Sequence, residues 1–345
     1  MIAYVIRRLL WMIPVVFFIA VVTFALMHAV PGGPWDRQKR LPPQAMANIE
    51  AKYGLDKPVF APGWHVWEAD FWRELPDSQF ANYIGGLLRP FAGLVHLRLE
   101  GPDLGVSYRQ INRPVSDILL DGIRISATIG LVALVLSTVV GMGFGILSAV
   151  RQNSWLDYAC VAFATFGASV PNFVLGLLLM VLFSVHLHWL PAFGWSDPIH
   201  FLFLSIPSNW KQVVMPVIAL SVFPAAYIAR VARASMLEVM QQDYVRTARA
   251  KGLQEQVVVM RHMVRNALIP VLTVLGPVAA FLVTGSFIIE YLFAIPGIGR
   301  QFVTSISARD YGVIMGTTLF YAVVVAAANL IVDLMYAVVD PRIRY

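Results

Sequence analysis

Six stretches of the chain are almost wholly apolar, at roughly 9–30, 125–149, 158–187, 213–229, 267–292 and 313–338. Each is long enough to cross the hydrocarbon core as a helix, which takes ~17–25 residues. Polar positions collect between these runs, and two intervals stand out: a long one from Pro31 to Arg124 and a shorter one from Arg230 to about 266. The pattern predicts an all-α integral membrane protein of six transmembrane helices with a large loop between helices 1 and 2. Three segments follow: residues 1–30 as the N-terminus and first span, 31–124 as the loop with short helices, and 125–345 as a five-helix core containing the loop 230–266.

Inside the long interval, "LPPQAMANIEAKYGLD" sets Pro43 at a helix start, Gly54 just past its end, and Met46, Ile49 and Tyr53 along one face. A second candidate helix carries Trp64, Trp67, Phe71 and Trp72. Two readings of it stand: an aromatic belt at the membrane surface, or anchors for an extracellular partner.

Composition agrees with the pattern. Hydrophobic residues are 58% and charged ones 13%, against about half and a quarter in soluble domains. Arg7 and Arg8 before the first run suggest a signal peptide, but the run is too long and no A-x-A site follows, so a retained helix is expected. The net charge of +6 comes with no basic stripe interleaved with aromatics, so no nucleic-acid partner is expected. Cys160 is the single cysteine and lies in the third run, which excludes an internal disulfide and a cysteine metal cluster; no metal site is expected.

Charge also orients the chain. With the N-terminus inside, cytosolic segments carry Arg7, Arg8, Arg151, seven Lys or Arg from Arg230 to Arg265, Arg342 and Arg344, while the two short outer loops hold Lys211, Arg300 and Arg309. The long interval has eleven basic and eleven acidic residues and exceeds the ~60-residue limit of the rule, so it does not count. Both termini are expected in the cytosol.

The cytosolic interval contains "DYVRTARAKG". Asp243 is placed as the N-cap, Tyr244 to Lys251 as the helix and Gly252 as its left-handed stop. Two turns are too short to stand alone in water, so neighbours or a partner must hold them. At 100° per residue Tyr244, Thr247 and Ala248 share a small, packable side, with Arg246 and Arg249 opposite. Such a surface suits docking onto carboxylates, although a basic cytosolic loop also serves topology and anionic lipid.

"DYVRTARAKG" followed by "HMVRNALIP" resembles the cytoplasmic loop of permease subunits of ATP-binding-cassette importers, in the dipeptide, oligopeptide and nickel branch. The general loop reads E-A-A, three residues, Gly, then a proline about thirteen residues on. Arg246, Thr247 and Ala248 stand in place of E-A-A, with Gly252 in register and Pro270 eighteen positions later, and the branch is similar in both departures. "PGGPWD" at 31, "YGLDKP" at 53, "SVPNFVLG" at 169, "EYLFAIPGIGR" at 290 and "DLMYAVVDPRIRY" at 333 extend the resemblance over nearly the whole chain, most like the B-type oligopeptide members. Residues 59–86 depart from the pattern.

The resemblance implies the type I importer permease fold and a bacterial inner-membrane location. It implies a homologous second permease making a heterodimer, two ATP-binding subunits, an extracytoplasmic substrate-binding protein and a peptide cargo. It also implies that Asp243, Tyr244, Arg246, Thr247, Ala248, Arg249, Lys251 and Gly252 couple to the ATPase. The sequence itself has no G-x-x-x-x-G-K-[ST] loop, no H-E-x-x-H and no G-x-S-x-G, so no enzyme activity and no cofactor on this chain are expected; ATP and Mg would sit on partner subunits. A self-sufficient secondary transporter or channel, or an importer of nickel or glutathione, are the alternatives.

Pro171, Pro216, Pro224, Pro270 and the Gly276–Pro277 pair interrupt the spans, either as ordinary kinks or as hinges; Pro171, Pro270, Gly276 and Pro277 are the hinge candidates. Glu290 and Asp333 lie near span ends, and a carboxylate at membrane depth costs roughly 2.5 kcal/mol or more, so pairing is expected over lining a route.

Overall fold

The computed structural model describes residues 2–35, 42–60, 75–95, 103–110, 112–201, 204–283 and 286–339. α1 (Ile2–Ala29) is followed by α2 (Pro43–Tyr53), a single 3-10 turn at Leu75–Asp77, and α3 (Gln79–Val95). Then come α4 (Val115–Val150), α5 (Trp155–Ser169) and α6 (Asn172–Leu179), the last running on as a π-turn through Met180–His186. A hairpin of β1 (Pro198–Phe201) and β2 (Leu204–Pro207) precedes α7 (Lys211–Met240), α8 (Asp243–Ala250) and α9 (Glu255–Val257). After a second π-turn at Val258–Val264 come α10 (Arg265–Val283), α11 (Phe287–Leu292), α12 (Ile298–Ala308) and α13 (Tyr311–Val339).

Among the described residues five helical stretches are long and apolar enough to cross a membrane, and α5 with α6, bent by 104° at their junction, bring the number to six if the pair is one span. The spans fall where the six apolar runs predict them. The second starts earlier than expected: α4 begins ten residues before its apolar run, where Val115, Ile118 and Leu119 are buried and extend the helix.

The first compact unit takes in Met1–Met12, Gly122–Arg300 and Val323–Tyr345. Its α4 and α7 approach closely through small residues. A Cβ on Gly141 would meet the Ala225 carbonyl at 2.7 Å, and one on Gly145 would meet the Ala229 carbonyl at 2.7 Å, while Gly143 between them faces open space. In lipid, where apolar side chains gain nothing from leaving the solvent, such small-residue faces let backbones pack. α10 lies on the same helix, with Val271 buried against Ile228 and Ala232. It runs unbroken through Pro270, Gly276 and Pro277, whereas the sharp interruption falls at Pro171, which caps α6.

Asp333 of α13 is paired as expected, with Arg8 at 2.9 Å and the Tyr4 hydroxyl at 3.0 Å. The hairpin holds to α4 through the Ser205 amide, which donates to Thr128 Oγ1 at 2.9 Å.

The second unit takes in Ile13–Asp121 and Gln301–Ala322. α2 has the predicted bounds, and Gly54 ends it at φ 68° with its amide returned to the Ala51 carbonyl. α3, which periodicity did not single out, supplies Phe80, Tyr83, Ile84 and Leu87 to a cluster with Ala20, Phe24, Met27, Ile314, Met315 and Leu319. The aromatic segment Trp64–Trp72 lies outside the described residues.

Candidate functional site

α8 is seated by two side chains. Val245 and Ala248, three residues apart, are buried in a cluster with Ala149, Met236, Val258, Val259, Met263, Val264 and Ala267. This corrects the expected face: Ala248 packs, but Tyr244 is 41% exposed and Thr247 is exposed, its hydroxyl donating to the Asp243 carbonyl at 2.9 Å. The reason is helical phase. Positions 245 and 248 carry the apolar atoms, and one step of 100° turns Tyr244 away from them.

The start of α8 is also corrected. Gln242 is the capping position, with φ −73° and ψ 145° and no side-chain cap, so Asp243 is the first helical residue. Its carboxylate still lies in the first turn, where the helix dipole favours it, 3.8 Å from Arg246. The end matches expectation: Gly252 has φ +77° and donates to the Arg249 carbonyl at 2.9 Å. A Cβ there would meet nothing, so only the backbone conformation demands glycine.

Arg249 forks onto Glu255, with Nη2 to Oε1 at 2.6 Å and Nε to Oε2 at 3.2 Å, and clips α8 to the start of α9. This pair holds the guanidinium still further on its charged side. Both partners are half-exposed, so the clip contributes modestly to stability. Arg246, Tyr244 and Lys251 remain on the exposed side. The segment thus has a small apolar underside and a cationic, aromatic top.

A polar centre and a cavity also lie in the first unit. Glu290 is 1% exposed, and its Oε1 accepts from the Ser126 hydroxyl at 2.8 Å while Oε2 accepts from the Arg300 amide at 3.3 Å. Ser126 Oγ in turn accepts from the Ile298 amide at 3.0 Å. "EYLFAIPGIGR" therefore folds back over its own first residue, and a side chain on Gly297 or Gly299 would run into the carboxylate. At the α5–α6 break a cavity of about 300 Å³ is lined by Ser169, Pro171, Asn172, Phe223, Pro224 and Phe281, among others.

The second unit carries its own node. Asp310 accepts from the Ser107 hydroxyl at 2.5 Å and from the Tyr108 amide at 3.1 Å, and Arg109 donates to the Ala308 carbonyl at 2.9 Å. Burial first, then Asp310, Tyr311 and Tyr53, push the Tyr108 phenol well up, so it stays neutral. Among the described residues no cluster of three His, Cys, Asp or Glu side chains is placed to hold a metal ion.

The family profile described as "Binding-protein-dependent transport system inner membrane component" matches residues 141–345, and its N-terminal companion matches residues 1–132. The chain belongs to this family of membrane permeases. The dipeptide transport system permease protein DppB of Bacillus subtilis (strain 168) is 39% identical over 341 residues, covering 99% of this chain and 97% of the relative. The oligopeptide transport system permease protein OppB of Escherichia coli (strain K12) is 34% identical over 345 residues, covering both chains fully. Among solved structures, the MetNI methionine ABC transporter in inward-facing form is similar in fold, with TM-score 0.54 and 18% identity over 67% of this chain and 100% of that one. The permease is therefore a multi-pass inner-membrane protein with an importer-type transmembrane fold, and its family is that of the membrane component and not of the ATPase.

Proposed function

We propose that the permease forms half of the pathway of an ATP-driven peptide importer and receives the ATPase through α8. Identity to dipeptide and oligopeptide permeases over the full length supports the cargo class. The observation that carries the docking reading is α8 itself: two buried side chains hold it, and Tyr244, Arg246, Thr247, Arg249 and Lys251 are left outward. Arg249 is held by Glu255, whereas Arg246 is 72% exposed and only 3.8 Å from Asp243, a contact that adds little to the helix's own stability. A carboxylate on a partner surface would engage Arg246 by forked hydrogen bonds.

The complete machine on this reading has a homologous second permease, two ATP-binding subunits carrying ATP and Mg, and an extracytoplasmic binding protein that delivers peptide. The start of α1 and the end of α13 face the cytosol. The Arg8–Asp333 ion pair supports their lying on one side, since it joins the beginning of one span to the end of another, and the excess of Lys and Arg in the short loops names that side. The broken span, with its cavity at Pro171 and Asn172, is where irregular backbone at membrane depth is tolerated, because it lines a space.

Reconstitution tests the reading. Proteoliposomes holding both permeases and the ATPases should take up a dipeptide or oligopeptide only with ATP and the binding protein. Uptake by the purified chain alone, driven by an ion gradient, would overturn it, and ATP-driven uptake of nickel or glutathione in place of peptide would overturn the cargo. Single cysteines at Lys52 and Arg246 in a Cys160→Ser background should label from opposite sides; labelling from one side would overturn the orientation.

A further inference from the structure

Outside the site already described, the most fully built polar centre of the first unit joins three helices at one point. Arg233 of α7 lays its guanidinium along the Asp157 carboxylate of α5, with Nε to Oδ1 at 3.0 Å and Nη2 to Oδ2 at 3.0 Å. Arg233 Nε also donates to Ser148 Oγ of α4 at 2.8 Å, and the Ser148 hydroxyl donates to Asp157. The Asn153 amide adds a bond to Asp157 Oδ2 at 3.0 Å, and Ser154 caps α5. Asp157 is 3% exposed and Ser148 fully buried.

We propose that Asp157, Arg233 and Ser148 form a polar clamp that positions the seat of α8, so that a displacement of α8 is handed to α5 and not dissipated among the helices. The inference rests on the reading that α8 receives the ATPase.

Three observations carry it. The clamp residues adjoin the seat: Ala149 follows Ser148, and Met236 lies three residues beyond Arg233, and both are buried in the cluster that holds Val245 and Ala248. A slide of α4 against α7 would therefore move the floor under α8 and break the Arg233–Ser148 bond together.

The chemistry is directional. A forked Arg–carboxylate pair accepts one register, whereas apolar side chains of similar volume would join the helices in several and often with equal or better stability. Binding strength alone does not call for a buried carboxylate and a part-exposed arginine here. Closely packed small residues already join the same helices, with Gly145 against Ala232 and Gly167 against Ala226.

The clamp also has somewhere to send a displacement. α5 starts at the clamp, held by the turn in which Asn153 sits at φ 61°, and ends at the 104° break beside the 300 Å³ cavity. A shift of its first turn is thereby carried to the break as movement of one rigid helix. Asp157, Arg233 and Ser148 are positioning residues on this account, since they touch neither the ATPase nor the cargo.

The test uses the full chain in nanodiscs and then in the assembled transporter. The double variant Asp157→Asn/Arg233→Met removes the fork without leaving a buried unpaired charge. Amide exchange across 243–252 should quicken by about tenfold or more, while exchange across 290–300 stays at the wild-type rate. Arg233→Lys keeps the charge but loses the fork and should fall between. Unchanged exchange at 243–252 in both variants would overturn the clamp, and so would equal acceleration at 243–252 and 290–300, which marks general loosening. In the assembled transporter the double variant should still hydrolyse ATP but move peptide per ATP about tenfold less. Faster exchange at α8 with an unaltered ratio of peptide to ATP would uphold the clamp and instead sink the role of α8.

Discussion

Two short charged segments sit in this oily chain, and they treat charge in opposite ways. At Glu290–Arg300 the carboxylate points inward, is 1% exposed, and meets donors from Ser126 and Arg300, with two glycines making room. At Asp243–Gly252 the charges point outward, and what is buried is a valine and an alanine. A charge whose hydrogen bonds are already made within the chain has little left to offer a partner. The exposed Arg246 guanidinium, on a helix that is anchored from below, has much to offer.

Breaking the inward segment should have the largest effect. Glu290→Ala strips the acceptor from the Ser126 hydroxyl and the Arg300 amide in a buried site, and we expect a loss of about 3 kcal/mol, read as a lower unfolding temperature in detergent. Glu290→Gln, which keeps an acceptor, should lose about half as much. If Glu290→Ala unfolds with the wild type, the caged-carboxylate account is wrong.

At α8 the seat comes next. Val245→Ala removes buried methyls and should cost about 2 kcal/mol, confined to the loop and visible as faster proteolysis near 241–254 with spans intact. Gly252→Val forces a β-branched residue into a left-handed turn; it should cost about 1–2 kcal/mol and weaken ATPase co-purification without affecting insertion. Normal co-purification and uptake in that variant would remove α8 from the coupling route.

The smallest structural effect sharpens the contrast most. Arg246→Ala touches an exposed pair 3.8 Å apart and should leave stability within about 0.5 kcal/mol of wild type. ATPase association should nonetheless weaken severalfold, measured by pull-down at low and high salt, because the group serves a partner. A stability change with no loss of association would reverse the assignment.

Much of the architecture is legible in sequence because the bilayer enforces it: a spanning segment must be long, apolar and helical. α2 was legible for a different, local reason, since Pro43 and Gly54 act through their own backbone preferences at its two ends. The stop of α8 at Gly252 is of the same kind. The underside of α8 was misread although the signal was present, because Val245 and Ala248 are its apolar pair at helical spacing and the small residues beside them drew the face one step off. The Gly276–Pro277 pair reads in sequence as the better hinge, yet the helix is continuous there and the break falls at Pro171. A proline removes the same hydrogen bond in each place, and neighbouring helices decide whether the axis yields.

The sequence by itself determined the places of the apolar spans, the sites of α2 and α8, the expected side of each loop and the likeness to a permease family. All of these rest on properties of contiguous residues: length, hydropathy, helical phase, backbone preference and ordered motifs. Only the tertiary structure decided which charges are used up and which remain on offer. Ser126 meets Glu290 across 164 positions, and Asp157 meets Arg233 across 76. Pairings of that range depend on how helices pack, and no periodicity along the chain records them.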